Sequence, residues 1–373
     1  MIVRLVPINC VKEESYLAKT IYDASGTVLL AQGSRLNAER LKAIERNGIL
    51  SIYINDEYSD NDIEDIIKPE IRQKAIKAVK DSFESIAKFS AKENSQRVSN
   101  NKRKNRKVIY NGIEDLFRII DEIVEEILLK NDILINLVDI KSMDNYTYEH
   151  SVNVTVLSLI LGIELGFPKH RLYDLAIGAM LHDVGKVYVP KEILQKKGKL
   201  TPQEYEIMKG HPKNGYEYLK NNIFVSSTAR IIALQHHERI DGLGYPNHIK
   251  GDRINELSKV VSVADVYDAL TSDRAYRSAL PSNEAVEYIM GGASRYFDFD
   301  VVKAFMRRVV PYPEGTAVKL SNGDIAIVDK LCYGFPLHPV VKVIRRNNKD
   351  VEPIFIDLLK ENDIVITSIQ YEL

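Results

Sequence analysis

The sequence predicts a multi-domain chain: an all-α helical core flanked by a small N-terminal α+β module and a small C-terminal β module. At 373 residues the chain is long for a single hydrophobic core. Apolar residues recur at helical spacing through the middle of the chain, whereas both ends carry short β-rich runs separated by turn residues. We therefore divide the chain into residues 1–60, 61–107, 108–311 and 312–373.

The N-terminal module, residues 1–60, alternates β-rich runs with turns. A short helix is expected from Asn37, which is a favourable N-cap residue, to Asn47. The predicted strands cover residues 2–6, 18–22, 27–30 and 49–54.

Residues 61–107 are predicted to be a connector helix followed by a polar, basic linker. The helix, over residues 62–92, is amphipathic, and Pro69 is expected to break or kink it early. Because a lone surface helix could not leave such an apolar stripe exposed, it should pack on the core or in a homodimer. Residues 102–107 hold five basic side chains. They could bind nucleic acid or anionic lipid, but a run this short and without aromatic residues favours a solvated linker, and we expect no nucleic-acid partner.

Residues 108–311 follow the helical period. Thr201, Pro202 and Glu204 form a capping box with proline in the first helical position. The predicted helices cover residues 113–129, 146–165, 169–182, 202–211, 227–237, 256–270, 283–291 and 299–309. The pattern then returns to strands, at residues 317–320, 325–328, 340–345 and 364–369.

The composition limits where in the cell the protein is expected and which classes of partner it can bind. The 51 Lys and Arg residues nearly balance the 52 Asp and Glu residues, so any anion site must be local. The two cysteines, Cys10 and Cys332, lie far apart and fit free thiols in a reducing compartment. No run approaches the roughly 18 apolar residues that a membrane span needs, and a signal-peptide pattern is missing. We expect a cytoplasmic protein.

Nitrogen and carboxylate side chains cluster in the helical region. Seven of the eight histidines lie there, and two of them, His236 and His237, are adjacent. Asp265 lies in an apolar helix, where a carboxylate costs several kcal/mol unless it binds a cation or is well hydrogen-bonded. His150 alone is more simply explained as an ordinary helix residue. Taken together, the histidines and the aspartate of this region indicate a metal site.

Four motifs within this region resemble those of the HD-GYP family of metal-dependent cyclic-dinucleotide phosphodiesterases. They are AMLHDVGK at residues 179–186, GHP at 210–212, QHHERIDGLGYP at 235–246 and VADVYDALTSDR at 263–274. The resemblance covers about residues 110–310 and implies an HD-type helical core acting in bacterial signalling.

The resemblance also implies the metal ligands. One metal would be held by His150, His182, Asp183 and Asp265, and Asp183 would bridge to a second metal held by His211, His236 and His237. Such ligands suit iron or manganese, with nickel as a third candidate. Some members of the family hold a third metal with a glutamate at the position occupied here by Tyr146, so we expect two.

Five side chains are predicted to contact the substrate. Lys186 lies near Asp183 in sequence and could stabilise a phosphoryl oxygen or protonate the leaving oxygen, unless it forms only a surface ion pair. Tyr245 should display its ring, unless its loop merely reverses the chain. Arg274 and Arg277 suit the second phosphate, although Arg274 could instead pair with an aspartate. The full set is Lys186, Tyr245, Asp268, Arg274 and Arg277.

The resulting hypothesis is an enzyme that hydrolyses the 3'-5' phosphodiester of cyclic di-GMP to linear pGpG, with a bridging hydroxide activated by two metals. Further hydrolysis of pGpG to GMP is left open. Asp183 and Lys186 are its expected catalytic residues. Two alternatives stay open: a cyclic-dinucleotide sensor with weak turnover, and a phosphohydrolase acting on a hybrid such as cGAMP.

Overall fold

The structure is a computed structural model that describes residues 3–370 except residues 13, 23–26, 48, 50, 56–65, 95–101, 131–145, 197, 221, 273–279 and 333. It contains an N-terminal module with strands, a helical region and a C-terminal sheet, as predicted. Among these described residues, no helix combines the length and the apolar character that crossing a membrane requires.

The N-terminal module contains two small antiparallel sheets and one helix. Its elements are β1 (Val3–Pro7), β2 (Tyr16–Leu17), β3 (Ile21–Tyr22), β4 (Val28–Leu30), α1 (Ala38–Arg46) and β5 (Ser51–Asn55). One sheet has the order β1-β5-β2, and β3 pairs with β4. The predicted strand over residues 18–22 is shorter than expected, because only Ile21 and Tyr22 pair. Asn37 caps α1 by accepting a hydrogen bond from the Arg40 amide.

Twelve α-helices, counted over the described residues, include eleven beyond α1. They are α2 (Pro69–Asn94), α3 (Lys102–Leu128), α4 (Tyr146–Glu164), α5 (Lys169–Leu181), α6 (Lys191–Leu194), α7 (Pro202–Met208), α8 (His211–Lys220), α9 (Ser227–Gln235), α10 (Glu256–Leu270), α11 (Ser282–Gly291) and α12 (Phe299–Arg308). Short 3-10 helices cover Ile8–Cys10, Val184–Tyr188 and Gly251–Arg253. The capping box at Thr201 and Glu204 is present.

Three local predictions differ from the structure. Pro69 does not kink the connector helix but begins it: residues 66–68 are not helical, and Pro69 is the first residue of α2, where its missing N–H costs nothing. The basic run at residues 102–107 is the start of α3 rather than a linker. The helix predicted over residues 202–211 ends earlier, at Met208, and His211 instead begins α8, a helix that the sequence analysis did not predict.

The connector helix α2 belongs to the core of the helical region. Val79 and Phe83 of α2 are buried in the same apolar cluster as Ile120 of α3 and Leu157 of α4. The ring of Phe83 meets that of Tyr148 edge-on, with their centroids 6.0 Å apart. The core therefore continues across the boundary predicted at residue 108, and α2 contributes buried side chains to it.

The C-terminal module is a five-stranded antiparallel sheet with the order β10-β6-β7-β8-β9. Its strands are β6 (Ala317–Leu320), β7 (Ile325–Lys330), β8 (Val340–Arg346), β9 (Lys349–Asp357) and β10 (Ile366–Ile369). The sequence analysis missed β9. Pro353 weakens its strand signal, and the strand tolerates this proline because it lies at the edge of the sheet.

The packing of α2 predicts a large effect of Phe83→Ala. Phe83 is 3% exposed, and removing a buried aromatic ring costs about 3 to 5 kcal/mol. Urea unfolding of the full chain, monitored by the circular dichroism of its helices, should show this loss of unfolding free energy. Phe355→Ala, at a residue that is 59% exposed, is the control and should change stability by less than about 0.5 kcal/mol. Equal effects of the two substitutions would contradict the placement of α2 in the core.

Candidate metal centre

Five parts of the helical region converge on one buried cluster: α4, the end of α5, the start of α8, the end of α9, and α10. His150 lies on α4 and Asp265 on α10. His182 and Asp183 lie between α5 and the 3-10 helix Val184–Tyr188. The structure brings together all seven predicted ligands, in three overlapping groups whose ligand atoms lie within 4.8 Å of one another: His150, His182, Asp183, His211, His236, His237 and Asp265.

Asp183 lies at the centre of the cluster. Its Oδ1 atom is 3.3 Å from His211 Nε2 and 3.9 Å from His236 Nε2. Its Oδ2 atom is 3.4 Å from His182 Nε2 and 3.8 Å from His150 Nε2. Each oxygen thus faces a different pair of histidines, which is the arrangement that a bridging carboxylate requires.

Asp265 links the two sides of the cluster a second time. Its Oδ1 atom is 3.1 Å from His150 Nε2, and its Oδ2 atom is 3.6 Å from His237 Nδ1. The sequence analysis expected this carboxylate to need a cation or good hydrogen bonds, and it lies among imidazole nitrogens.

Three of the imidazoles are oriented by backbone carbonyls. Nδ1 of His182 is 2.7 Å from the Ala179 oxygen, that of His211 is 2.8 Å from the Met208 oxygen, and that of His236 is 3.0 Å from the Ala233 oxygen. A carbonyl only accepts, so each Nδ1 must carry the proton. In the neutral ring, Nε2 then offers a lone pair to the centre of the cluster.

Polar atoms of the cluster fit a bound cation. His182 Nε2 and Asp183 Oδ1 are buried and have no hydrogen-bond partner in the described part of the chain. His211 Nε2 and His236 Nε2 face each other at 3.3 Å, although both offer lone pairs. A positive ion among these atoms would give the buried, unpartnered atoms a ligand and would remove the repulsion between the two lone pairs. The cluster is therefore compatible with divalent metal binding.

The electrostatic balance keeps Asp183, His236 and His237 in the states that bind metal. Burial would raise the pKa of Asp183, but Lys186 and His182 hold this pKa well below its usual range. Burial and the neighbouring His237 hold the pKa of His236 well below its usual value. Burial similarly lowers the pKa of His237 to about 3. Asp183 is thus a carboxylate, and both of these rings are neutral near pH 7.

Gly185 allows the two halves of the cluster to approach each other. A Cβ atom at this position would lie 1.9 Å from the carbonyl oxygen of His211 and 2.5 Å from the amide nitrogen of Gly215. Only glycine therefore lets the segment after Asp183 pack directly against the backbone of α8.

Lys186 and Tyr245 lie at the accessible side of the cluster. Nζ of Lys186 contacts Asp183 Oδ2 from one 3-10 turn later, and the lysine side chain is 28% exposed. The ring of Tyr245 packs on His237, with their centroids 4.7 Å apart. This tyrosine ring was expected to be displayed, but it is half-buried because it covers a predicted ligand.

Glu238 supports the loop that carries Tyr245, and the sequence analysis missed it. Its buried carboxylate accepts hydrogen bonds from the amides of Asn247 (2.7 Å) and Ile249 (3.2 Å). The Tyr245 amide donates to the His237 oxygen at 3.1 Å, which closes the loop on the cluster. An acidic residue directly after two histidines and before a glycine-rich turn was the available signal.

Asp268 was predicted to contact the substrate, and its surroundings favour a different role. It is 1% exposed, and its Oδ2 atom is 2.7 Å from His150 Nδ1. Its Oδ1 atom accepts a hydrogen bond from Asn153 at 3.0 Å. A buried carboxylate held in this way can orient the imidazole. The contact of Asp268 with the substrate stays a prediction.

The remaining predicted residues are described in part or not at all. Arg274 and Arg277 lie outside the described residues. Tyr146 is the first residue of α4, and its side chain is likewise outside the description.

Comparison with known proteins agrees with this geometry. The HD domain family model matches residues 132–301 of the chain. The predicted resemblance to HD-GYP phosphodiesterases is confirmed by curated relatives. A cyclic di-GMP phosphodiesterase of Pseudomonas aeruginosa is 39% identical over 225 residues, which are 60% of this chain and 54% of the relative.

Two further relatives and one solved structure extend the comparison. A cyclic di-GMP phosphodiesterase response regulator of Xanthomonas campestris is 42% identical over 39% of this chain and 38% of its own length. A 3'3'-cGAMP-specific phosphodiesterase of Vibrio cholerae is 37% identical over 44% of this chain and 37% of its own. An HDG"Y"P protein from Bdellovibrio bacteriovorus matches 81% of this chain and 97% of its own at 17% identity, with a TM-score of 0.46. The chain spans about half, or less, of these curated relatives.

The surroundings of His150 predict that metal affinity rises with pH. Burial lowers its pKa, but hydrogen bonds with Asp265 and Asp268 outweigh burial and raise the pKa to about 9. Below pH 9 a cation must displace this proton, and the competition weakens as the pH rises. Affinity for Mn²⁺ should therefore increase about tenfold per pH unit between roughly pH 6.5 and 8.5.

Calorimetry at several pH values measures the slope of affinity against pH. Repeating it in buffers of different ionisation enthalpy measures the release of about one proton per chain. His170→Ala, at an exposed position outside the cluster, is the control and should keep the slope. An affinity that does not change with pH would contradict the protonated state of His150.

Proposed function

We propose that the chain is a metal-dependent phosphodiesterase that hydrolyses a 3'-5' phosphodiester of cyclic di-GMP to linear pGpG, with GMP as a possible further product. One observation carries the proposal: Asp183 turns one oxygen to His211 and His236 and the other to His150 and His182. Curated relatives that act on cyclic di-GMP support the choice of substrate.

The seven clustered side chains would hold two divalent ions, iron or manganese, with nickel as a third candidate. When bound, such a pair supplies Lewis acidity and an activated water near neutral pH. Asp183 would set the spacing of the two ions, and Asp265 would join His150 and His182 on one side of it. The burial of the cluster strengthens each of these electrostatic contacts.

Lys186 would act on the reacting phosphate. Its ammonium contacts Asp183 and is partly exposed, so a substrate oxygen could reach it without passing through the core. The positive charge would stabilise charge developing on the phosphoryl group, and the ammonium can donate a proton to the leaving oxygen.

Tyr245 would form one wall of the substrate site. Its ring lies on His237, and Glu238 anchors the loop behind it. A ring fixed in this way can limit where the sugar or the base lies relative to the metals. Arg274 and Arg277 remain our proposed contacts for the second phosphate of the cyclic dinucleotide.

A hybrid cyclic dinucleotide is the second candidate substrate, because one relative acts specifically on 3'3'-cGAMP. The deciding experiment incubates the chain, loaded with Mn²⁺ or Fe²⁺, with cyclic di-GMP and with 3'3'-cGAMP and identifies the products by chromatography. We expect linear pGpG from cyclic di-GMP. Faster cleavage of 3'3'-cGAMP would favour the hybrid. Binding of both without cleavage would favour a sensor and contradict the proposal.

Asp183→Asn should remove both metal loading and hydrolysis. The substitution keeps the shape of the side chain but removes the charge between the two histidine pairs. Elemental analysis should find about two ions in the parent and fewer in the variant. Turnover should fall by more than about a hundredfold, since loss of an outer partner alone costs 10- to 100-fold. Asp252→Asn, at an exposed carboxylate, is the control. Full turnover with two ions bound would show that Asp183 is not the bridge.

Arg274→Ala should weaken substrate binding while metal content stays intact. Loss of a charged hydrogen bond to phosphate costs about 1.5 to 3 kcal/mol, or roughly 10- to 100-fold in affinity. Calorimetry with a non-hydrolysable phosphorothioate analogue of cyclic di-GMP on Mn²⁺-loaded protein separates binding from turnover. Arg253→Ala, at an exposed arginine, serves as the matched control. Unchanged affinity in Arg274→Ala would support a purely structural ion pair at this position.

A further inference from the structure

A chain of hydrogen bonds connects the connector helix α2 with the cluster. Arg72 of α2 donates from Nη1 to Asn153 Oδ1 at 2.6 Å. Asn153 donates from Nδ2 to Asp268 Oδ1 at 3.0 Å. Asp268 Oδ2 lies 2.7 Å from His150 Nδ1. The chain thus starts on a helix outside the motifs that indicate the metal site and ends on a predicted ligand.

The chemistry of the side chains gives these hydrogen bonds one direction. A guanidinium only donates, so the Asn153 amide must turn its oxygen to Arg72 and its NH₂ group to Asp268. The Asp268 carboxylate only accepts, so His150 must carry its proton on Nδ1. Nε2 of His150 then faces Asp183 and Asp265, where a bound cation would take the place of its second proton.

Burial makes this direction costly to reverse. Asn153 is 2% exposed and Asp268 is 1% exposed, so water cannot readily replace a missing partner. If Arg72 is removed, the buried oxygen of Asn153 loses its donor. The amide can then relax only by disturbing Asp268, and Asp268 is the group that holds His150.

We propose that Arg72 is a positioning residue for the metal centre, acting through Asn153 and Asp268 on His150. The helix that carries it also packs against α4 and against the 3-10 helix Val184–Tyr188, which includes Lys186. The position of α2 therefore controls the geometry of one ligand. This inference rests on the metal site of the proposed function, but it does not depend on which dinucleotide is the substrate.

The test measures metal retention in the full chain. Arg72→Met keeps the length and the packing of the side chain but removes its donors, and Arg72→Lys restores one donor without the planar fork. Lys74→Ala is the matched control, because Lys74 is a cation on the same helix, is 62% exposed, and lies 3.9 Å from Glu122. Each protein is loaded with Mn²⁺, and loss of the ion to a chelator is followed over time.

We expect a chelator to remove metal from Arg72→Met about 10 to 100 times faster than from the parent chain, as is typical when an outer partner of a ligand is lost. The rate of metal loss from Arg72→Lys should lie between the rates of Arg72→Met and the parent chain. Lys74→Ala should lose metal at the rate of the parent chain. In a chain that already carries His150→Ala, adding Arg72→Met should cause no further loss, because its effect passes through His150.

Several outcomes would overturn the inference. The first is that Arg72→Met releases metal no faster than Lys74→Ala. The second is that the effect of Arg72→Met adds in full to that of His150→Ala, which would mean that Arg72 does not act through His150. If Arg72→Met does not fold, as judged by circular dichroism, Arg72→Lys decides by the same comparison. A parent chain that takes up no Mn²⁺ would refute the metal site as well, whereas a parent chain that binds Mn²⁺ but cleaves no dinucleotide would refute only the proposed function.

Discussion

The structure depends on how it accommodates two ionised carboxylates inside an apolar helical core. Asp183 and Asp265 are almost completely buried, which is costly for charged groups without compensation. Five histidines surround them, and Lys186 reaches in from the accessible side. The helices around the cluster are thus arranged by an electrostatic requirement as much as by the packing of apolar side chains.

The sequence allowed the main features of the fold to be predicted, because they depend on local patterns. Helical periodicity identified most of the helices, and the capping box at Thr201 is present. Six of the seven clustered residues could be identified together because they fall within the four motifs, and His150 was added as a ligand that the same resemblance implies. The break between α7 and α8 was missed, since His211 looked like the end of one helix rather than the start of the next.

Residues that act through long-range contacts could not be predicted in the same way. Arg72 and Asn153 are 81 positions apart in the chain, and Asn153 and Asp268 are 115 positions apart. No local pattern distinguishes Arg72 from the other basic residues of α2. Asp268 lies one helical turn after Asp265, and this spacing alone could not tell a substrate contact from a partner of His150.

The carbonyl groups that orient His182 and His236 belong to the last turns of α5 and α9. Carbonyls at such ends have no partner within their own helix and are ordinarily left to water or to a capping group. Here they hold imidazole rings, so the end of each helix is fixed by the ring that it orients. Fraying of a final turn would release a ring together with its carbonyl, while the rest of the core stays folded. An ion held by these rings would therefore also stabilise the last turns of α5 and α9.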